Sequence, residues 1–265
     1  MDKSNLPGWF VLVAVIVLVP APSLVAAQSI PSDPSPSRPT ASVTPRDDHT
    51  KVRVVRVPEN GFVPDAEMDE AGNLHLAYVA GNDVYYAKSS DHGETFGQPI
   101  RVNSEAGFAF GGAFRGPDLA IGKDDTVHVV WYNAGYQQKR PQHEWGVNYS
   151  KMAKSGQFEA TRNLNQKPSD NFSIAANAKG DVAVVWMAGG IFVNWSQDGG
   201  TQFSAPLDLK IDPCECCGSR ASFTADGTLN VLSRDKAKNE RDTYLAMLTR
   251  GAPNIRRVRV SEMDW

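Results

Sequence analysis

Some features are scarce in this 265-residue sequence, and each scarcity argues against a class of protein. Basic residues are not in excess, with 27 Lys and Arg against 30 Asp and Glu, so the charge balance gives no indication of nucleic-acid binding. The longest apolar run, from Trp9 to Val19, has 11 residues and is too short for a membrane-spanning helix of about 20. What remains, 41% hydrophobic residues and a net charge of -3, is the composition of an ordinary soluble domain.

The amino terminus has the layout of a signal peptide. Lys3 precedes the apolar run, and the small residues Val25 to Ala27 follow it. We expect residues 1–27 to be removed, which predicts a secreted or periplasmic protein without a membrane span; an uncleaved anchor is the alternative. Residues 28–50 are mostly Pro, Ser, Thr and Asp and predict a disordered linker, so the folded domain spans 51–265.

A repeated motif occupies this domain. Each copy has a turn with Gly or Asp and then alternating apolar residues that end, in three copies, on an aromatic residue. The copies are GNLHLAY (Gly72 to Tyr78), DTVHVVW (Asp125 to Trp131), GDVAVVW (Gly180 to Trp186) and GTLNVLS (Gly227 to Ser233). The copies start 53, 55 and 47 residues apart, a period near that of a four-stranded propeller blade.

In every copy one candidate strand precedes the motif and two candidate strands follow it. All of them have period-2 alternation, with Gly, Asn or Asp at the joints between strands. We therefore predict an all-β fold, a β-propeller of four-stranded antiparallel blades with four blades visible. The predicted blades cover about 61–103, 114–165, 171–210 and 218–261.

Residues 51–58 form an orphan strand in this scheme, because they are similar to the last strand of the fourth unit but have no blade of their own. Propellers close by pairing a strand from one terminus with the blade at the other, since an unpaired edge exposes backbone donors and acceptors. The fourth unit already has its own fourth strand. Closure by 51–58 therefore predicts a truncated sequence and an intact protein of six blades, with on the order of 100 further residues.

Two turns carry a motif that identifies a family. SSDHGETF contains Ser89, Asp91, Gly93, Thr95 and Phe96 at every defined position of the Asp box, Ser/Thr-x-Asp-x-Gly-x-Thr-Phe/Trp. A second copy keeps Ser196, Asp198, Gly200 and Phe203 but has Gln202 in place of Thr. The chain thus resembles the sialidase-like (BNR/Asp-box) β-propellers over residues 51–265. In that family the box is structural and lies away from the active site.

The resemblance implies a site in which arginines hold a substrate carboxylate. Phe114-Arg115-Gly116-Pro117 is similar to the family's Phe/Tyr-Arg-Ile-Pro motif, with a departure at Gly116. Arg220 and Arg234 are the other candidates, because a carboxylate needs the planar donor fork of arginine. The alternative is that all three are solvated or structural loop residues.

The family cleaves with a Tyr/Glu pair and an acidic acid/base residue. Asp65 and Asp118 occupy matching first-strand positions and are the candidate acid/base residues, with a turn-capping role as the alternative. Tyr244 is a further candidate, although the sequence ties it to no glutamate and a place in the strand core explains it better. A recognisable Tyr/Glu pair is missing, which favours a binding role, although the further blades predicted for the intact protein are an alternative place for the pair.

All three cysteines lie together, at Cys214, Cys216 and Cys217. Export favours disulfides, and an odd count leaves one thiol over. Secreted sialidase-like propellers with a similar C-x-C-C segment have a further cysteine beyond a Trp like Trp265, which implies that the disulfide partner lies past the end of this sequence. Three thiolates also suit a soft metal, copper above all. We favour the disulfide and expect no cofactor.

These observations predict an exported, sialidase-like propeller that acts as an exo-glycoside hydrolase on sialic-acid-type or other acidic glycans. The alternative is a non-catalytic propeller that binds a glycan or a protein at the cell surface. Neither interpretation involves nucleic acid.

Overall fold

The computed structural model describes residues 54–236, 241–251 and 254–260. The first blade contains β1 (Phe62–Met68), β2 (Leu74–Ala80), β3 (Asp83–Ser89) and β4 (Ile100–Arg101). The second contains β5 (Ala109–Phe110), β6 (Asp118–Ile121), β7 (Val127–Asn133), β8 (Val147–Lys151) and β9 (Arg162–Asn163). The third contains β10 (Asp170–Ala176), β11 (Val182–Met187), β12 (Ile191–Ser196) and β13 (Leu207–Asp208). The fourth contains β14 (Arg220–Phe223), β15 (Leu229–Arg234), β16 (Thr243–Leu248) and β17 (Arg256–Arg259).

The four sheets are antiparallel, and in three of them the strands pair in sequence order. In the second sheet β5 and β6 both pair with β7, so together they take the place of one first strand. First strands of consecutive blades contact one another, which puts them on the inner side of the assembly. The predicted all-β propeller with four-stranded antiparallel blades is confirmed.

Helical structure is limited to three short 3-10 turns in the described residues: Pro58–Asn60, Lys123–Asp125 and Gln142–Glu144. None of the helices found there has the length and apolar character needed to cross a bilayer. The predicted signal peptide and linker lie outside the described residues.

The hydrophobic core lies between consecutive blades. The second strands are sandwiched there, and every residue of β11 is buried. Such strands read as continuous apolar runs because both faces are covered. The interface between the second and third blades contains Val130, Tyr149, Ile174, Val184 and Trp186. Each blade therefore depends on its neighbour to bury its surface.

The predicted closing strand is described only from Val54 onward. Residues 54–57 belong to no strand and lead into the turn Pro58–Asn60. Val57 packs against Leu76 and Tyr78 of the first blade. A closing pair with another blade stays a prediction.

The turn after β3 shows what the Asp-box residues do. The Asp91 carboxylate accepts hydrogen bonds from the Ser89 hydroxyl at 2.7 Å, the Thr95 N–H at 2.8 Å and the Thr95 hydroxyl at 2.6 Å. The Ser89 hydroxyl accepts the Gly93 N–H at 2.8 Å, and Gly93 has a φ of 85°. A short acidic side chain thus closes the turn, as Asp does in Asx-type turns.

The turn after β12 repeats this arrangement. Asp198 accepts from the Ser196 hydroxyl at 2.7 Å and from the Gln202 N–H at 2.9 Å, and Gly200 donates to Ser196 at 2.9 Å. Gln202 has no hydroxyl to match that of Thr95. The Thr-to-Gln departure therefore removes one hydrogen bond and leaves the turn intact.

We predict that Asp91→Ala lowers the midpoint of thermal unfolding by more than Thr95→Val does. The alanine removes three acceptor contacts, whereas valine removes only the hydroxyl donor and keeps the N–H. The hydrogen bonds, with that of the Thr95 side chain first, hold the pKa of the Asp91 carboxyl below its ordinary value. The contribution is therefore present at neutral pH and is lost as pH falls through the folded-state pKa. Differential scanning calorimetry at two pH values measures this, and equal midpoints for wild type and Asp91→Ala at pH 7 contradict it.

Candidate functional site

The first strand of every blade is interrupted at the same place. Two backbone pairs with the second strand mark the interruption in each blade. They are Phe62–Val79 and Asp65–Ala77 in the first blade, and Phe110–Tyr132 and Asp118–Val130 in the second. They are Asp170–Met187 and Ser173–Val185 in the third blade, and Pro213–Asp235 and Arg220–Leu232 in the fourth. The residues between them, 63–64, 111–117, 171–172 and 214–219, form what we call the strand breaks. Two are β-bulges and two are longer loops. Bulges commonly lie next to functional sites, where they redirect side chains.

The four strand breaks converge on one cavity of about 370 Å³, here called the inner cleft. All four contribute to its lining, through Val63, Pro64, Phe114, Gly116, Pro117, Asn171, Phe172, Gly218 and Ser219. Asp65, Asp118 and Arg220, each the first residue after a break, also line it. Three of the candidates taken from the sequence are therefore together in one cavity.

The residues after the breaks also join the blades. Asp65 accepts the N–H of Leu119 in the next blade at 2.8 Å. Asp118 accepts that of Ile174 at 3.1 Å, and the Ser173 hydroxyl accepts that of Ala221 at 3.1 Å. These bonds satisfy backbone donors on strands that would otherwise be open sheet edges. One oxygen of each aspartate thus has a structural partner in the next blade, which is a different structural role from the capping of a local turn.

Asp118 lies in an unusual electrostatic environment. Its side chain is buried, and Arg220 Nη1 lies 3.6 Å from its Oδ2. Burial first, then the charge of Asp65 and a hydrogen bond with it, raise the pKa of Asp118 to about 7, while Arg220 opposes the rise. A carboxyl group with this pKa carries a proton for part of the time at neutral pH.

A second cavity of about 390 Å³, here called the aromatic cleft, shares Tyr132 with the inner cleft. Its aromatic side chains are Phe110, Tyr132, Tyr136 and Trp145. Tyr136 is 71% exposed and meets Trp145 edge to face, with ring centroids 5.3 Å apart. An exposed aromatic side chain at a cavity is a common recognition element, because it offers an apolar face beside a polar tip.

Arg115 lies in the wall of the aromatic cleft and is held there by Asp170. Its Nε donates to Asp170 Oδ1 at 3.0 Å, and its Nη2 donates to Oδ2. The Tyr132 hydroxyl also donates to Asp170 at 2.7 Å, and the guanidinium lies 4.5 Å from the Phe114 ring centroid. Two donors of the Arg115 fork are therefore engaged within the protein.

Arg234 and Tyr244 lie elsewhere, and neither is in the lining of the two clefts. Arg234 Nε donates to the Arg241 carbonyl at 2.7 Å, and its Nη1 is 3.8 Å from Cys217 Sγ. Tyr244 is on β16, with the guanidinium of Arg257 4.8 Å from its ring centroid. Of the three candidate arginines, the structure brings only Arg220 to the inner cleft.

The cysteines form the fourth strand break, which also contributes Gly218 and Ser219 to the inner cleft. Cys214, Cys216 and Cys217 are free thiols with their sulfur atoms 3.1, 3.5 and 3.9 Å apart, so no disulfide joins them to one another. A disulfide to a cysteine past residue 265 stays a prediction.

Sequence reasoning missed Tyr132, Tyr136, Trp145 and Asp170. One signal was present: the break in the first three blades lies opposite the aromatic residue that ends each repeat motif, Tyr78, Trp131 or Trp186. The aromatic residue therefore marks the level of the clefts along each second strand.

Neither a protein-family model nor a curated protein sequence matches the chain. Solved structures do. An α-L-arabinanase from Penicillium chrysogenum, complexed with arabinobiose, is similar over 77% of this chain and 67% of its own, with 14% identity and a TM-score of 0.51. At these identities, similarity shows the fold alone.

Two further structures are similar at TM-scores below 0.5. An engineered GH43 glycoside hydrolase with endo-xylanase and exo-arabinofuranosidase activity has a TM-score of 0.45 and 12% identity, over 77% of this chain and 40% of its own. A variant of the NanB sialidase from Streptococcus pneumoniae has a TM-score of 0.44 and 13% identity, over 67% and 27%. The chain has the β-propeller fold of the arabinanase. It spans less than half the length of the other two proteins.

Proposed function

We propose that the chain binds an acidic glycan across the inner and aromatic clefts. One observation carries this proposal: Arg220 extends into the inner cleft with its side chain 70% exposed, and the carboxyl group beside it is one whose pKa is raised. A guanidinium is suited to a sugar carboxylate because its donors match the carboxylate geometry. Here its nearest anionic partner is in part neutral.

The aromatic cleft suits the rest of such a ligand. Its rings provide flat apolar faces, and Tyr132 connects it to the inner cleft. Both cavities fall in the size range of small-ligand sites, about 300 to 1,000 Å³. We assign the sugar carboxylate to Arg220 and the neighbouring ring to Tyr136 and Trp145.

This assignment differs from the arginine set that the family resemblance implied. Asp170 occupies two donors of Arg115, so we give Arg115 a structural part in the wall between the clefts. Membership of the sialidase-like Asp-box propellers and export by a signal peptide are part of the same proposal. The two Asp-box turns and the glycosidase-like fold support that membership.

Hydrolysis of the bound glycan is a second candidate, and the raised pKa of Asp118 favours it. A general acid needs a pKa near the working pH. We assign no second carboxylate, because one oxygen of Asp65 already accepts the Leu119 N–H and its charge contributes to the raised pKa of Asp118. We therefore propose glycan binding as the first candidate function and hydrolysis as the second.

The test measures affinity of the full chain for sialyllactose and for lactose by titration calorimetry. We expect Arg220→Gln to weaken sialyllactose binding roughly tenfold to 100-fold, the range for a lost hydrogen bond to a charged group. Arg256→Gln removes the same charge from the exposed outer strand β17 and is the matched control. Equal affinity for both sugars, or indifference to Arg220→Gln, overturns the proposal. Assay of the same samples for released sialic acid decides between binding alone and hydrolysis.

A further inference from the structure

The three cysteine sulfurs form a compact triangle on the fourth strand break. Cys214 Sγ lies 3.1 Å from Cys216 Sγ and 3.5 Å from Cys217 Sγ, and the third side measures 3.9 Å. A disulfide bond is about 2.0 Å long, so each side is more than 1 Å longer than a bond. All three sulfur atoms lie within 4.8 Å of one another, and any disulfide among them would leave one sulfur out.

The triangle has nearly the size that a metal ion requires. Metal–thiolate bonds are about 2.3 Å long, and three such bonds in one plane separate the sulfur atoms by about 4 Å. A small outward movement of the sulfurs is enough to admit an ion. In the described part of the chain, the only group of three or more His, Cys, Asp or Glu side chains whose ligand atoms lie within 4.8 Å of one another is these three cysteines.

Backbone hydrogen bonds hold the loop in this shape. The Cys214 N–H donates to the Arg234 carbonyl at 2.7 Å, and the Cys217 N–H donates to the Cys214 carbonyl at 2.9 Å. The Asn171 side chain donates to the Glu215 carbonyl. Contacts from two other segments therefore fix the positions of the three ligands, as a preorganised site requires.

Two arginines surround the sulfurs with positive charge. Arg241 Nη1 lies 3.2 Å from Cys214 Sγ, and Arg234 Nη1 lies 3.8 Å from Cys217 Sγ. Three thiolates carry a charge of -3, which a monovalent ion reduces to -2 and two guanidinium groups then balance. A divalent ion such as zinc needs less compensation and prefers a fourth ligand. Soft thiolates suit both copper(I) and zinc, so the number of ligands and the charge balance are what favour copper(I) here.

We propose that Cys214, Cys216 and Cys217 bind one copper(I) ion in a three-coordinate thiolate site, with Arg234 and Arg241 as outer-sphere donors to the sulfurs. Binding releases the thiol protons and involves no change of oxidation state. The site is independent of the proposed glycan function, although its loop also forms one wall of the inner cleft.

The experiment titrates copper(I) into the reduced full chain without oxygen, in competition with a bathocuproine chelator. We expect one equivalent to stay with the protein and a thiolate-to-copper absorption band to appear in the ultraviolet. Cys216→Ser is the main variant, since Cys216 is exposed and its loss does not disturb the core. We expect the copper(I) affinity of Cys216→Ser to fall by more than roughly 100-fold, the largest loss usual for a change outside the ligand set. We expect the affinity of Arg241→Gln to fall roughly tenfold.

Glu215→Gln changes an exposed residue between the ligands and is the matched control, with unchanged affinity expected. Three results overturn the proposal. The first is that the chelator removes copper(I) equally from wild type and Cys216→Ser. The second is that zinc(II) displaces copper(I) at equal concentration. The third is that the protein always retains fewer than three titratable thiols after mild reduction. The last result assigns the cysteines to a disulfide instead.

Discussion

Replacing Gly116 by alanine is expected to weaken glycan binding and to destabilise the fold, whereas the same change at Gly218 is expected to leave the stability of the fold unchanged. A Cβ at Gly116 would lie 2.3 Å from the Val63 carbonyl oxygen and 2.9 Å from the Val63 Cβ. Such an overlap is with backbone and cannot be relieved by rotating a side chain. The second strand break must then move away from the first, and Arg115 moves with it.

The expected cost is about 1 to 3 kcal/mol in the free energy of unfolding, the usual range for overpacking a filled site. Gly218 is the matched control, since it lines the same inner cleft and a Cβ there would have no heavy atom within 4 Å. Chemical denaturation and sialyllactose titration of both variants measure the effect. Identical behaviour of Gly116→Ala and Gly218→Ala contradicts the close approach that the structure shows.

Gly116 also shows why a family motif transfers incompletely. The family pattern has isoleucine at this position, and the sequence alone shows only a departure. The structure supplies a reason, because the bulge at Val63 lies where a side chain would be. The first strand break is 53 residues away from Gly116 in sequence, so no local pattern could reveal the contact.

The repeat made the blades predictable. Each second strand is an apolar run fixed by burial between neighbours, and such a local signal can be read from the sequence. The lengths of the strand breaks depend instead on which loops must meet across the inner side of the molecule. Arg115 and Asp170 are 55 residues apart, and nothing in either segment indicates their pairing. The repeat therefore indicates at which height along the strands the clefts lie, but it does not indicate which residues line them.

Asp65 and Asp118 show that the two interpretations of a residue need not compete. Each accepts an N–H from the next blade, which is the structural role, and each lines the inner cleft. The structural role places the carboxyl groups beside one another and buries Asp118. The contacts that join the blades thus hold Asp118 in the buried position beside Asp65 where its pKa is raised.

The affinity for an acidic glycan is expected to rise as pH falls from 8 to 6. Over this range Asp118 takes up a proton, because burial and Asp65 raise its pKa to about 7. Its negative charge, 3.6 Å from the Arg220 guanidinium, then disappears, and Arg220 becomes available to the sugar carboxylate. If the bound anion raises the pKa of Asp118 by about one unit, linkage makes binding about tenfold tighter well below that pKa than well above it.

The stability of the fold changes with pH in the same direction as the affinity, rising as pH falls. The folded protein binds more protons than the unfolded chain between the ordinary pKa of an aspartate, 3.8, and about 7, so stability falls as pH rises through that window. Asp118→Asn keeps an oxygen to accept the Ile174 N–H and cannot titrate. We expect its affinity to be nearly constant from pH 6 to 8 and close to that of wild type at pH 6. In this arrangement only a proton on Asp118 releases Arg220. Two results would therefore contradict the prediction and place the titrating group elsewhere. One is a wild-type affinity that falls on acidification, and the other is an Asp118→Asn variant that keeps the wild-type pH dependence.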